Sequence, residues 1–145
     1  MTATEYVVDV LGGAAVFKGQ TVPTSTDLRQ RIKHGLPYRS LESVRKRLGL
    51  SVPEAASVLH MPPRTMARRR QTRRLEPDES DRLYRIARVA AQAFAVFGTE
   101  DNAATWLRRP NRALNGEIPI RLLDTDVGAR QVEDVLGRIE HGVIS

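Results

Sequence analysis

Apolar residues along this chain return at spacings of three and four, and every segment that can be assigned reads as helix. Over residues 5–11, Val7, Val10 and Leu11 fall together before Gly12-Gly13 ends the run. A loop with Gly19 and Pro23 leads to Ser25 or Thr26 as N-cap, after which Leu28 and Ile32 face one way until Gly35. Leu36-Pro37 interrupts the chain again. Ser40 is then placed to cap a helix that turns Leu41, Val44 and Leu48 inward, with Arg45, Lys46 and Arg47 crowding its other side.

From Ser51 the punctuation becomes sharper. Ser51-Val52-Pro53-Glu54 fits a capping box with proline in the first turn, opening a short helix through Leu59. Met61-Pro62-Pro63 forces a turn, because proline disfavours helical geometry in the residue before it. A second short helix runs from Pro63 to about Gln71, so the pair has the form of a helix-turn-helix. The longest helix is predicted from Pro77 to Phe97, with Asp78, Glu79 and Asp81 at its start suiting the helix dipole. Its core stripe of Leu83, Ile86, Ala90, Phe94 and Phe97 is widened by Val89, Ala91, Ala93 and Val96. A helix apolar over so much of its circumference must be covered on more than one side, by both halves of the chain or by a second subunit.

Thr99 caps a further helix, with Ala103, Ala104, Trp106 and Leu107, that stops before Pro110. A turn centred on Asn115-Gly116 follows, then a short apolar segment between Pro119 and Asp124. The last helix carries Val132, Val135, Leu136 and Ile139 on one face and stops at Gly142. That face either closes the protein's own core or meets a partner. No low-complexity linker separates the front from the rear, which predicts two all-α subdomains packed as one body.

Composition narrows the picture. The chain has 145 residues, 41% hydrophobic and 28% charged, with aromatics at only 5%, so Leu, Val, Ile and Ala must build the core. Without cysteine there are no disulfides and no thiol chemistry, in keeping with a cytoplasmic protein. No apolar run approaches a membrane span, and the opening MTATEYVVDVLGG, with Glu5 and Asp9 and no basic start, makes a poor signal peptide. The net charge of +6 is unevenly divided. Residues 1–75 hold fourteen Lys/Arg against five Asp/Glu, whereas residues 76–145 hold nine against twelve. The front suits a polyanion and the rear does not.

Within the helix-turn-helix, Ala56 is the small residue where the helices cross, Leu59 and Met66 are apolar anchors, and His60 takes the turn position usually given to glycine. Histidine tolerates a positive φ better than most residues. Arg64 and Thr65 open the second helix, Arg68 lies one turn on, and Arg69, Arg70, Arg73 and Arg74 extend the charge. A recognition helix presents its first residues to base edges while flanking cations bind phosphates, and arginine can grip guanine with two hydrogen bonds. The candidate DNA-binding residues are therefore Arg64, Thr65, Arg68, Arg69, Arg70 and Arg73. Pro62 and Pro63 stand where bases are often touched, so phosphate contact is what the pattern supports most directly.

Catalytic constellations fail one by one. Asp124 and Asp126 sit just ahead of a helix, where N-capping explains them better than paired acid–base chemistry. His34, His60 and His141 are isolated and lack metal-ligand spacing. No phosphate-cradling glycine loop or nucleophile elbow is present, and Trp106 reads as core. The expectation is a protein without enzymatic activity, cofactor or metal.

The rear of the chain resembles the toxin-binding domain of the Xre/MbcA/ParS antitoxins. The resemblance rests on Asn111-Arg112-Ala113-Leu114, Gly116, Pro119, Leu122-Leu123-Asp124-Thr125, Gly128-Ala129-Arg130, and Leu136-Gly137-Arg138-Ile139-Glu140-His141-Gly142-Val143. The front is similar to the N-terminal part of the same family through Leu36-Pro37 and the following Ser-Leu-Glu helix, Met61-Pro62-Pro63-Arg64-Thr65, the arginine run and the Glu76-Pro77-Asp78-Glu79-Ser80-Asp81-Arg82-Leu83 entry. Together these cover about the last four-fifths of the chain. The resemblance implies an N-terminal extension (1–24), a helix-turn-helix region (25–75) and a toxin-binding and dimerisation domain (76–145). It implies as partner a RES-type toxin that consumes NAD, blocked at its active site through the C-terminal region, where the candidate toxin-binding residues are Arg138, Glu140, His141, Gly142, Val143, Ile144 and Ser145. Operator DNA and a homodimer inside a larger toxin–antitoxin complex complete the expected assembly, with no membrane. The rival expectation is a stand-alone helix-turn-helix regulator whose C-terminal domain only dimerises or senses a ligand, and an adjacent toxin gene would separate the two. A third, a related antitoxin whose toxin has a different chemistry, is separated only by typing that neighbour.

Overall fold

Side-chain caps or prolines mark where the helices begin. The computed structural model describes residues 2–19 and 23–142. Among them the chain forms α1 (Ala3–Val10), α2 (Ser25–His34), α3 (Tyr38–Arg47), α4 (Val52–Val58), α5 (Pro63–Thr72), α6 (Pro77–Phe97), α7 (Glu100–Leu107) and α8 (Asp126–Glu140), with 3-10 segments at Arg112–Leu114 and Pro119–Asp124. The fold is all-α. The Ser51 hydroxyl accepts the Glu54 amide at 3.1 Å while the Glu54 carboxylate accepts the Ser51 amide at 2.9 Å, the predicted box. That backbone hydrogen bond from Ser51 holds the Glu54 carboxyl below its ordinary range.

Three expected caps move. Helix α2 is capped by Thr24, one residue ahead of the predicted pair, because Asp27 stands three residues after Thr24 and returns its hydrogen bond at 3.0 Å. Helix α3 starts at Pro37, whose fixed φ sets the chain for helix three residues before Ser40. Ser40 is instead fully buried, and its hydroxyl donates to the Leu11 carbonyl left open at the end of α1. Before α8, Thr125 accepts the Gly128 amide at 2.9 Å, so neither Asp124 nor Asp126 is the cap; Asp126 pairs with Arg130 at 2.9 Å.

Helix α6 occupies the centre, packing against α1, α2, α3, α7, α8 and the second 3-10 segment. Leu83, Ile86, Ala87, Val89, Ala90, Ala91 and Ala93 are buried around its circumference. The cover predicted for this helix comes from both halves of one chain. Phe94 and Phe97, expected in the core, are half-buried: Phe94 stacks on Tyr6 with ring centroids 4.3 Å apart, and Phe97 meets Trp106 at 5.5 Å. In α2, Leu28 and Ile32 also reach only partial burial.

The first residues of the chain belong to the same core. Tyr6, Val7, Val8, Val10, Leu11, Val16 and Phe17 are buried, and α1 packs on α3 and α6. Arg47 of α3 reaches Asp9 of α1 at 2.8 Å and Glu100 of α7 at 2.9 Å, while the Tyr6 hydroxyl donates to Glu100 at 2.8 Å. Burial first, and the Glu100 hydrogen bond second, push the Tyr6 hydroxyl above its ordinary pKa.

The start of α8 is set by a close backbone approach. A Cβ on Gly128 would lie 1.9 Å from the Leu122 carbonyl oxygen, whereas one on Gly137 would meet nothing within 4 Å. Gly128→Ala is therefore expected to lower stability by about 1–3 kcal/mol, as overpacking does. Gly137→Ala should raise it by roughly 0.5–1 kcal/mol, the usual gain from removing helical glycine. Urea unfolding of the two variants checks both signs, and equal effects would rule out the close approach.

Candidate functional site

Helices α4 and α5 form the predicted helix-turn-helix. Ala56 is buried at their crossing, with Leu59, Met61 and Met66 as the apolar anchors beneath. His60 adopts φ 55°, the left-handed conformation its glycine-like position requires. Pro62 precedes α5 and supplies no side-chain cap, so the Arg64 and Thr65 amides in its first turn have no side-chain acceptor.

The arginines of α5 divide by direction. Arg64, Arg68, Arg70 and Arg73 are exposed, and Thr65 is half-buried at the helix start. Arg69 differs: its Nε donates to Glu79 of α6 at 2.7 Å, with the two side chains 14% and 6% exposed. That hydrogen bond raises the Arg69 pKa above its already high ordinary value. Glu79 also accepts the Glu76 amide at 2.8 Å, so one carboxylate joins the α5 scaffold to the start of α6. Arg69, counted from the sequence among the DNA-binding candidates, is placed inward as a strut. Arg73 ends α5 in the left-handed conformation, and Arg74 donates to the His34 carbonyl at 3.2 Å.

The turn is held from behind by the rear half of the chain. His60 Nε2 lies 2.7 Å from the Asp124 carbonyl oxygen, and Arg82 of α6 donates to the Leu59 carbonyl at 2.9 Å. Further along α6, Arg85 reaches the Leu123 carbonyl at 3.3 Å, Arg88 pairs with Glu133 of α8 at 3.1 Å, and Gln92 donates to the Glu133 carbonyl at 3.1 Å. Residues 82, 85, 88 and 92 share one face of α6. This polar row, which sequence reasoning missed, ties both halves to the central helix; its signal was the spacing of polar residues within an otherwise apolar helix.

At the other end, α8 buries Val132, Val135 and Leu136 in the core. Ile139 is half-buried, while Arg138, Glu140, His141 and Gly142 are exposed at the helix end, with Gly142 at φ 73°. The remaining predicted toxin-binding residues, Val143, Ile144 and Ser145, lie outside the described residues. The DNA-binding candidates gather on α5 and the toxin-binding candidates on the end of α8. Among the described residues no group of His, Asp and Glu side chains could hold a metal ion, and no helix is long and apolar enough to cross a membrane.

A helix-turn-helix and a helical C-terminal unit built around one shared helix define a two-part all-α protein of the helix-turn-helix class. Residues 27–88 match the Antitoxin Xre-like helix-turn-helix domain, and residues 92–142 match the Antitoxin Xre/MbcA/ParS C-terminal toxin-binding domain. An Antitoxin Xre of Yersinia enterocolitica is 34% identical over 135 residues, covering 90% of this chain and 91% of that protein. An Antitoxin Xre of Pseudomonas putida is 35% identical over 117 residues, covering 80% of this chain and 72% of that one. A chain in the crystal structure of the M. tuberculosis MbcT–MbcA toxin–antitoxin complex superposes with a TM-score of 0.55 at 27% identity, over 74% of this chain and 96% of its own. The chain belongs to the Xre/MbcA/ParS antitoxin family, with both its helix-turn-helix and its toxin-binding domain.

Removing Arg69 would leave the carboxylate of Glu79 buried beside an apolar core. Arg69→Ala is expected to lower unfolding free energy by about 3 kcal/mol, as unpairing a buried ion does. Arg68→Ala, one residue away and exposed, should leave stability essentially unchanged. Thermal unfolding of the two proteins compares them directly, and equal stabilities would refute the strut.

Proposed function

We propose that this antitoxin neutralises a cognate NAD-degrading RES-type toxin by blocking its active site with the C-terminal region, and represses its own operon by binding operator DNA. The observation that supports the first part is how the toxin-binding domain is built. The apolar face of α8 is used up on Val132, Val135 and Leu136, whereas Arg138, Glu140, His141 and Gly142 at its end are exposed and free to meet a partner. Gly142-Val143-Ile144-Ser145 is a narrow segment without charge, suited to a cleft. Blocking a cleft requires shape and apolar surface and no catalytic group, and the MbcT–MbcA complex is a toxin–antitoxin pair of related build.

The second part draws on α5. Arg64, Arg68, Arg70 and Arg73 stand exposed on a helix whose first turn is uncapped, an arrangement that suits phosphates on either side of a groove. Thr65 is positioned beside them, and Arg69 supports the helix from behind. A two-fold operator would be read by a homodimer, each copy placing one α5 in successive major grooves.

Two experiments test the two parts separately. Deleting residues 141–145 should abolish protection of cells expressing the toxin while leaving operator binding intact; undiminished protection would refute active-site blocking by the tail. Replacing Arg64 and Arg68 together by alanine should lower operator affinity roughly 10–100-fold and reduce the salt dependence by about two counterions. An unchanged gel shift would refute the assignment of α5.

A further inference from the structure

The toxin-binding domain carries an aromatic trough that the tail does not account for. The end of α6, α7, the turn after Pro110 and the last turns of α8 enclose two adjoining cavities of about 300 and 460 Å³. Both are lined by Phe97, Trp106 and Ala113, so they form one continuous groove, with Ile139 on its far wall. Phe97, Trp106 and Ile139 are half-buried apolar side chains left facing the groove.

The rim has one sign. Arg109, Arg112 and Arg138 line the trough and are exposed, no carboxylate lines either cavity, and none of the three arginines forms an ion pair among the described residues. This happens in the half of the chain where acids outnumber bases, twelve to nine. Of the acids in the last turns of α8, Glu133 turns to Arg88 on α6 and Glu140 lines a separate cavity over α1, while Asp134 is exposed and lines neither part of the trough.

We propose that this trough seats an apolar side chain carried on an acidic surface of the toxin, as a second contact beside the blocked active site. The proposal rests on the toxin-binding reading above. The lining residues all fall within residues 92–142, the span that matches the toxin-binding domain, and Arg138 joins the trough to the tail. Charge opposes a two-fold contact between copies centred here, because it would set arginines against arginines. A nucleic-acid backbone would meet the arginines and leave the aromatic floor without a partner. Aromatic and arginine side chains at the centre of a contact are the composition that dominates protein interfaces.

The test uses the full-length antitoxin and its co-expressed RES-type toxin. Ala113→Trp fills the trough from an exposed position, and the triple variant Arg109→Glu, Arg112→Glu, Arg138→Glu reverses its rim. Each should weaken toxin binding about 30-fold or more, with unchanged affinity for operator DNA and an unchanged melting temperature. The triple variant should also lose the salt dependence of toxin association. If the unmodified chain fails to bind the toxin, the toxin-binding reading falls and this proposal with it. If the unmodified chain binds and deletion of residues 141–145 weakens it, but both trough variants bind normally, the trough proposal alone is overturned. A change confined to DNA affinity or to self-association would overturn it too. Should the triple variant unfold, the result with Ala113→Trp decides.

Discussion

The rest of the structure depends on α6 being covered from more than one side. With Val89, Ala90 and Ala91 all buried, only the partly exposed Arg88 and Gln92 reach water along that turn, so neither half of the chain can complete its core without the other. Its small residues, Ala87, Ala90, Ala91 and Ala93, let the surrounding helices approach closely enough to pack. The polar row of Arg82, Arg85, Arg88 and Gln92 then fixes the orientation of those neighbours by reaching carbonyls and a carboxylate on both sides. Apolar burial holds the body together, and directional hydrogen bonds set how the basic helix and the C-terminal domain are presented.

The same helix explains why the division of the chain is blurred. One family match ends at residue 88 and the other begins at 92, both inside α6. The first residues of the chain, outside both matches, nevertheless stack Tyr6 on Phe94 and place Asp9 on Arg47. They form part of the body on which the helix-turn-helix and the toxin-binding domain are mounted.

Much of this was legible from the residues. The extent of α6 followed from its apolar breadth and acidic start, and the turn at His60 followed from the spacing of Ala56, Leu59 and Met66. Caps were harder, since Thr24, Ser25 and Thr26 offer nearly equal local chemistry and the position of Asp27 decides among them. Ser40 and Arg69 could not be placed from sequence, because their partners, Leu11 and Glu79, are distant or on another helix. The trough was invisible for a similar reason: Phe97, Trp106, Ala113 and Ile139 lie on four segments that only packing brings together. Local pattern reports a residue's own helix, and tertiary contact decides which exposed cation is free.

A shared central helix also ties together how the two halves of the chain would be lost. Were α6 pulled open by an unfoldase or cut within its span, α5 would lose Glu79 and the support at Leu59, and α8 would lose Arg88 and its apolar bed, in one event. No surviving fragment would keep one face and discard the other. Clearance of this protein would therefore remove the basic helix and the toxin-binding domain in one step, with no intermediate that keeps either alone.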